Sequence, residues 1–137
     1  MSGAAATVPG MDQTARTRRI ATDYVESLER RDWPHVTELL AQDVVYEMPQ
    51  SRERIRGRDH YLRFNREYPG DWHLAVRRVV ADGRQAALWV DARVGDEPQT
   101  ACVWLELSEE DLIVQVTDFW PEFSEPMPGR EHLTERW

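Results

Sequence analysis

Two spacings of apolar residues run through this chain, one helical and one alternating, and they divide it into elements. Over residues 12–31, Ile20, Tyr24 and Leu28 recur at i, i+4 and i+8, with Ala21 and Val25 widening the stripe. Arginine and glutamate fill the other side, which predicts an amphipathic helix. Asp32 suits the cap of a second, short helix, with Pro34 in its first turn and Val36, Leu39 and Leu40 on its buried side. So little chain joins the two that they should form a helical hairpin. Residues 43–48 are β-branched, with Val44, Tyr46 and Met48 on one face, and predict a strand ended by Pro49. The arginine-rich run 52–58 carries an interleaved glutamate and reads as a solvated connecting loop. Gly57 precedes a third helix over 58–68, with Tyr61, Phe64 and Tyr68 at helical spacing, and Pro69-Gly70-Asp71 stops it.

Everything afterwards alternates. Residues 72–81 predict a strand, and Asp82-Gly83 is a strong hairpin turn. The next strand, 85–94, puts Leu88, Val90, Ala92 and Val94 on one face and Trp89, Asp91 and Arg93 on the other. After a turn, 100–107 sets Ala101, Val103, Leu105 and Leu107 against Cys102, Trp104 and Glu106. A last strand begins at Ile113, with Val114, Val116, Asp118 and Trp120 on one face and Gln115, Thr117 and Phe119 opposite. The tail, 122–137, is rich in proline and glutamate and then predicts a short helix ending in Trp137. This order predicts an α+β fold, a curved antiparallel sheet with helices on one face. The second face, with Trp89, Trp104 and Phe119, is too aromatic to stand bare in water, so a homodimer packed through it is expected.

Composition narrows the class. A chain of 137 residues, 41% hydrophobic and 31% charged, fits one soluble globular domain. That domain is expected over 12–137, behind a disordered lead-in at 1–11 that lacks the features of a signal peptide. No apolar run is long enough to span a membrane. A net charge of −8 argues against nucleic acid as a partner. The single cysteine, Cys102, excludes an internal disulfide and a cysteine-based zinc site, and fits the cytoplasm. His35, His60, His73 and His132 are scattered without metal-ligand spacing, and no nucleotide loop or serine elbow occurs, so neither metal nor cofactor is expected. Of these, His60 reads as surface, while His73 is a secondary candidate for proton transfer.

The candidate chemistry centres on one carboxylate. Asp118 closes an otherwise apolar row, where burial should raise its pKa and suit it to acid or base work. The competing reading pairs it with an arginine, Arg130 being the candidate. Tyr24 can donate a hydrogen bond to a ligand oxygen or be a core tyrosine. Tyr46, Met48 and Phe64 read as pocket wall and Trp120 as its mouth. Tyr61 and Tyr68 default to core, and Asp91 falls on the other face.

Particular residues carry a family likeness. Tyr24-Val25, Arg31-Asp32-Trp33, the run from Leu39 through Tyr46-Glu47-Met48-Pro49, Gly57, Thr117-Asp118-Phe119-Trp120-Pro121-Glu122 and Gly129-Arg130 resemble the nuclear transport factor 2-like superfamily. Within it, the chain resembles the SnoaL-like, polyketide cyclase-like group. The resemblance implies a cone-shaped, cystatin-like sheet on three N-terminal helices. It also implies a small hydrophobic or aromatic ligand held in an apolar cavity. One scaffold of this kind hosts enzymes and non-enzymes. Cofactor-free acid/base chemistry (cyclisation, isomerisation or dehydration) and a non-catalytic binding or interaction module are therefore both implied. Against ketosteroid isomerase, Tyr24 matches the oxyanion-hole tyrosine, but Met48 stands where the general base belongs and Val103 where a second, protonated acid belongs. Limonene epoxide hydrolase places a water-activating aspartate in a context similar to that of Asp118, without a counterpart here for its Arg-Asp pair. The resemblance leaves Asp118 and Tyr24 as the catalytic candidates, with Val103 joining the pocket wall.

Overall fold

The structure, a computed structural model, describes residues 11–137, so the expected lead-in lies outside the described residues except for Met11. Helix α1 (Gln13–Glu29) opens on Asp12, whose carboxylate accepts from Ala15 N at 2.8 Å, as an N-cap should. The chain then turns at Arg31, which adopts φ 59°, and enters α2 (Trp33–Leu39) capped by Asp32. Strand β1 (Leu40–Met48) follows without a loop, three residues earlier than the alternation suggested. Leu40 is fully buried as a strand residue instead of a helical one.

Strand β2 (Glu53–Arg56) corrects the expectation of a loop. It pairs antiparallel with β1, Tyr46 opposite Ile55. Helix α3 (Arg58–Glu67) comes next, then β3 (Trp72–Asp82), β4 (Gln85–Val94), β5 (Glu97–Leu107) and β6 (Ile113–Phe119). The six strands form one open, curved sheet in the order β2-β1-β6-β5-β4-β3. All neighbours are antiparallel except β1 and β6, which run parallel with Tyr46 beside Val116. The expected sheet was wholly antiparallel. The parallel seam arises because β6 returns, after the whole β3–β5 meander, to the strand that started the sheet. The tail contains turns and no helix.

Helix α1 packs on β3 and β4, and α3 on β1 and β2. The inward faces of β4 and β5 are as the alternation predicted, with Leu88, Val90, Ala101, Val103 and Leu105 buried. In β6 the register slips by one, because Ile113 faces Leu107 while Gln115 faces Glu106. Val114 is thus a bulge residue, and Ile113 takes the inward place expected for it, in line with Val116 and Asp118. A second bulge lies in β3 between Val76 and Arg78.

A polar clasp joins the end of α1 to the start of β3. Glu29 accepts from Leu74 N at 2.8 Å and bonds His73 Nδ1 at 2.9 Å. The Arg31 guanidinium lies 3.4 Å from the centre of the Trp72 ring, a cation–π contact, and donates to the Trp72 carbonyl. Just before this strand Gly70 adopts φ 92°, and a Cβ there would stand 2.7 Å from Val94 Cγ1. Gly83, at φ 61° in the β3–β4 turn, has open space around it. We expect Gly83→Ala to cost about 1 kcal/mol for its backbone conformation alone. Gly70→Ala should cost about 1–2 kcal/mol more, since overpacking adds to the backbone strain. Urea denaturation of the two variants checks the difference, and equal losses would contradict it.

Candidate active site

Four elements each send one oxygen-bearing side chain into the space between helices and sheet. The inner stripe of α1 supplies Tyr24, the inner face of β1 Tyr46, α3 Tyr61 and β6 Asp118; all four are buried. The Tyr24 and Tyr61 hydroxyls are hydrogen-bonded to each other. Tyr46 donates to Asp118 Oδ2 at 2.7 Å, and Trp120 Nε1 lies 3.4 Å from the same oxygen. The Tyr46 and Tyr61 rings stack, centroids 4.6 Å apart, so the two hydroxyl pairs are built as one unit. Asp118 Oδ1 is buried with no hydrogen-bond partner among the described residues.

The electrostatics follow from burial. Desolvation pushes the Asp118 carboxyl up to about 6, with the hydrogen bonds from Tyr46 and Trp120 pulling the other way. Asp118 makes no ion pair among the described residues, and Arg130, the candidate partner, lies in the exposed tail. Burial, reinforced by nearby Asp118, raises Tyr24, Tyr46 and Tyr61 well above the ordinary phenol range. All three therefore remain proton donors at neutral pH. Two hydroxyls that share one hydrogen bond use one of their two protons, so the Tyr24–Tyr61 pair keeps a proton to donate elsewhere.

These groups border a cavity of about 580 Å³, within the range that encloses a small organic ligand. Tyr24, Tyr46, Met48, Phe64, Val103, Asp118 and Trp120 all line it. Val103 sits directly opposite Asp118 in the β5–β6 pairing. Tyr61 was assigned to the core by its helical spacing, and the structure places its hydroxyl in the polar cluster as well. The spacing of Tyr61, Phe64 and Tyr68 showed a shared face; only the approach of α3 to α1 shows what that face meets. Asn65, which lines the cavity and donates to the Tyr61 carbonyl at 2.8 Å, carried no sequence signal. His73 reaches the cavity rim, but both ring nitrogens bond carboxylates, Glu29 and Asp71, at 2.9 Å each. His60 is exposed, its Nδ1 3.2 Å from the Arg56 carbonyl. Asp91 points outward and pairs with Arg77 at 3.4 Å.

A model of the SnoaL-like domain matches residues 21–116. The chain belongs to the SnoaL-like family. The match runs from α1 into β6 and stops two residues before Asp118, so family membership accounts for the scaffold and leaves this carboxylate to be argued on its own geometry. Among solved structures, this SnoaL-like protein is similar to one from Kribbella flavida DSM 17836 provisionally named a ketosteroid isomerase. The two are 52% identical over 93% of this chain and 94% of that one, with a TM-score of 0.89. An NTF-2 like protein of unknown function from Burkholderia xenovorans LB400 has a TM-score of 0.77 at 19% identity, covering 88% and 94% of the two chains. An LEH-like epoxide hydrolase of M. tuberculosis has a TM-score of 0.68 at 22% identity, covering 80% and 86%. The last two show a common fold. No curated protein matches the sequence. Among the described residues of this SnoaL-like chain, no helix is long and apolar enough to cross a membrane.

The raised Asp118 pKa has a consequence for stability. Below about pH 4 the carboxyl is protonated in both folded and unfolded chains, and above about pH 6 it is ionised in both. A folded pKa above the unfolded one means the stability present below pH 4 is lost as pH rises through 6. The loss is on the order of 3 kcal/mol at about 1.4 kcal/mol per unit. Asp118→Asn removes the titration. Its stability relative to the parent should improve by that amount between pH 4 and pH 8, measured by urea denaturation across the range. A pH-independent difference would show that Asp118 is solvated.

Proposed function

We propose that this protein binds a small hydrophobic or aromatic ketone in its cavity and moves a proton on it without a cofactor, the step common to isomerisation, dehydration and aldol-type cyclisation. The observation that carries the reading is Asp118, a buried, cavity-lining carboxylate whose Oδ1 has no hydrogen-bond partner and which makes no ion pair among the described residues. A carboxylate with a pKa raised to about 6 is ionised at neutral pH, yet a stronger base than an ordinary aspartate. It would take a proton from the carbon beside the carbonyl. The spare proton of the Tyr24–Tyr61 pair would hydrogen-bond the carbonyl oxygen as negative charge develops there, in the manner of an oxyanion hole. The protonated Asp118 would then return its proton to a different carbon or to a leaving hydroxyl, which restores the site.

The name of the Kribbella relative agrees with this reaction class. Met48 and Val103 are apolar and cannot move a proton, so the base here would stand on β6 and not at the end of β1. Those same apolar residues favour the rival reading, a module that binds its ligand without turnover.

Deuterium incorporation separates the two. Aryl and polycyclic ketones that quench the protein's tryptophan fluorescence on binding would be incubated with it in D₂O and followed by proton NMR. Exchange at the carbon beside the carbonyl should be accelerated and should rise with pH through about 6. Asp118→Asn should lose roughly 100-fold to 10,000-fold of the acceleration while retaining binding, the usual worth of a general base. Ketones that bind without exchanging would leave the binding module as the function, and exchange that survives in Asp118→Asn would rule out Asp118 as the base.

A further inference from the structure

The cavity has a second polar corner, remote from Asp118, that the proton transfer leaves unused. Its lining holds one arginine, Arg93 near the end of β4, together with Gln99 from β5 and His73 from β3. Register gathers the three. His73 lies opposite Arg93, and Gln99 lies opposite Ala92, the preceding residue of β4. Trp89 and Asp91 share the parity of Arg93 and are exposed on the outer face. At this corner the same parity reaches the rim of the cavity, since His73, the neighbour of Arg93 on the edge strand, bonds Glu29 of α1.

The donors of the corner are not equally engaged. Both nitrogens of His73 bond carboxylates, Glu29 and Asp71, so the imidazole has nothing left for a ligand. Arg93 is exposed, and its Nη1 donates to the Gly95 carbonyl at 2.9 Å, which steadies the guanidinium. Its Nε and Nη2 have no partner among the described residues. These two N–H groups form one edge of the planar guanidinium, the edge that fits both oxygens of a carboxylate. No acid of the chain takes that edge: Arg93 makes no ion pair among the described residues.

The other charged groups of the lining are acids, and they lie elsewhere on the sheet. Besides Asp118 they are Glu53 on β2 and Glu122 just after β6. Strand β2 is one edge of the sheet, whereas β4 is next to the other. An anion entering the cavity is therefore drawn to Arg93 and kept from the remaining corners. The distance from Asp118 follows from register. Asp118 is opposite Val103, and Val103 is opposite Leu88 on β4. From Leu88 to Arg93 is about 17 Å along the strand, and β4 is about 10 Å to the side of β6, so the two Cα atoms are roughly 20 Å apart. Side chains reach inward from both ends, and what remains is the length of a biaryl skeleton.

We propose, resting on the ketone reading above, that the ligand is a keto acid: its ketone lies between Asp118 and the Tyr24–Tyr61 pair, and a carboxylate at the far end of an apolar skeleton is held by the Nε–Nη2 edge of Arg93 with the Gln99 amide beside it. A neutral ketone can enter this cavity in either direction, a keto acid in one only. Holding the anion at the β4 corner also keeps it away from Asp118, whose ionisation a nearby negative charge would oppose.

The probes are 4′-acetylbiphenyl-4-carboxylic acid and its methyl ester, which share skeleton and ketone and differ in charge at the far end. Their dissociation constants at neutral pH are measured by titration calorimetry. The parent should bind the acid about 5-fold to 10-fold more tightly than the ester, the upper range for a partly exposed ion pair of two-pronged geometry. Arg93→Gln should bind the two alike, and Arg93→Lys should recover only part of the preference, because an ammonium lacks the fork. A parent that binds acid and ester equally overturns the keto acid, as does an Arg93→Gln variant that still prefers the acid, or a parent that binds neither. Deuterium exchange is followed separately on the ester, which has no carboxylate for Arg93. An ester that binds without exchanging counts against the proton transfer alone, and a lost preference counts against the Arg93 site alone.

Discussion

The hydrogen bond between Tyr46 and Asp118 joins residues 72 positions apart, and it exists only because β1 lies parallel to β6. That seam is the one place where the N-terminal half of the sheet meets the meander of β3–β6. Without it Asp118 would sit on an edge strand open to water, and Tyr46 would line an empty groove. The seam also sets the free energy of the site. A hydrogen bond to a charged group contributes about 1.5–3 kcal/mol, and desolvation of the carboxylate opposes it. The upward displacement of the Asp118 pKa shows that desolvation is the larger of the two. The fold thus holds a carboxylate whose affinity for a proton burial has raised.

Three tyrosines gather around that carboxylate. Tyr46 occupies one carboxylate oxygen, and the other has no hydrogen-bond partner among the described residues. Tyr24 and Tyr61 come from two different helices, α1 and α3. Their mutual bond keeps both hydroxyls protonated and aimed. Met48, Phe64 and Val103 are apolar parts of the wall, while Asn65, His73, Arg93 and Gln99 bring polar groups to other parts of the lining.

Most of the architecture was legible where the pattern is local. The stripe of Ile20, Tyr24 and Leu28, the cap at Asp32, and the alternation through β4 and β5 each depend on a few neighbouring residues, and the structure has each of them. What escaped was non-local or too short. Strand β2 has one apolar residue, Ile55, among charges, and a single residue has no period. The parallel seam leaves no mark on either strand, because both are buried by the same alternation an antiparallel pair would show. The bulge at Val114 reverses which residue faces inward, yet Ile113 and Val114 are equally apolar. Asp118 could be found as a carboxylate at the end of an apolar row. Tyr61 could not be distinguished from a core aromatic, since it is both.

The bulge in β3 and the shortness of β2 lie at opposite ends of the sheet. Each end strand is poorly suited to accept another. Strand β2 offers only four residues, three of them charged, and β3 is kinked at Arg77 between Val76 and Arg78. The sheet is therefore closed to growth along its own hydrogen-bonding direction. A chain with six tryptophans and an apolar sheet face is thereby kept from polymerising strand upon strand. Its stickiness is confined to a surface that a finite assembly can exhaust.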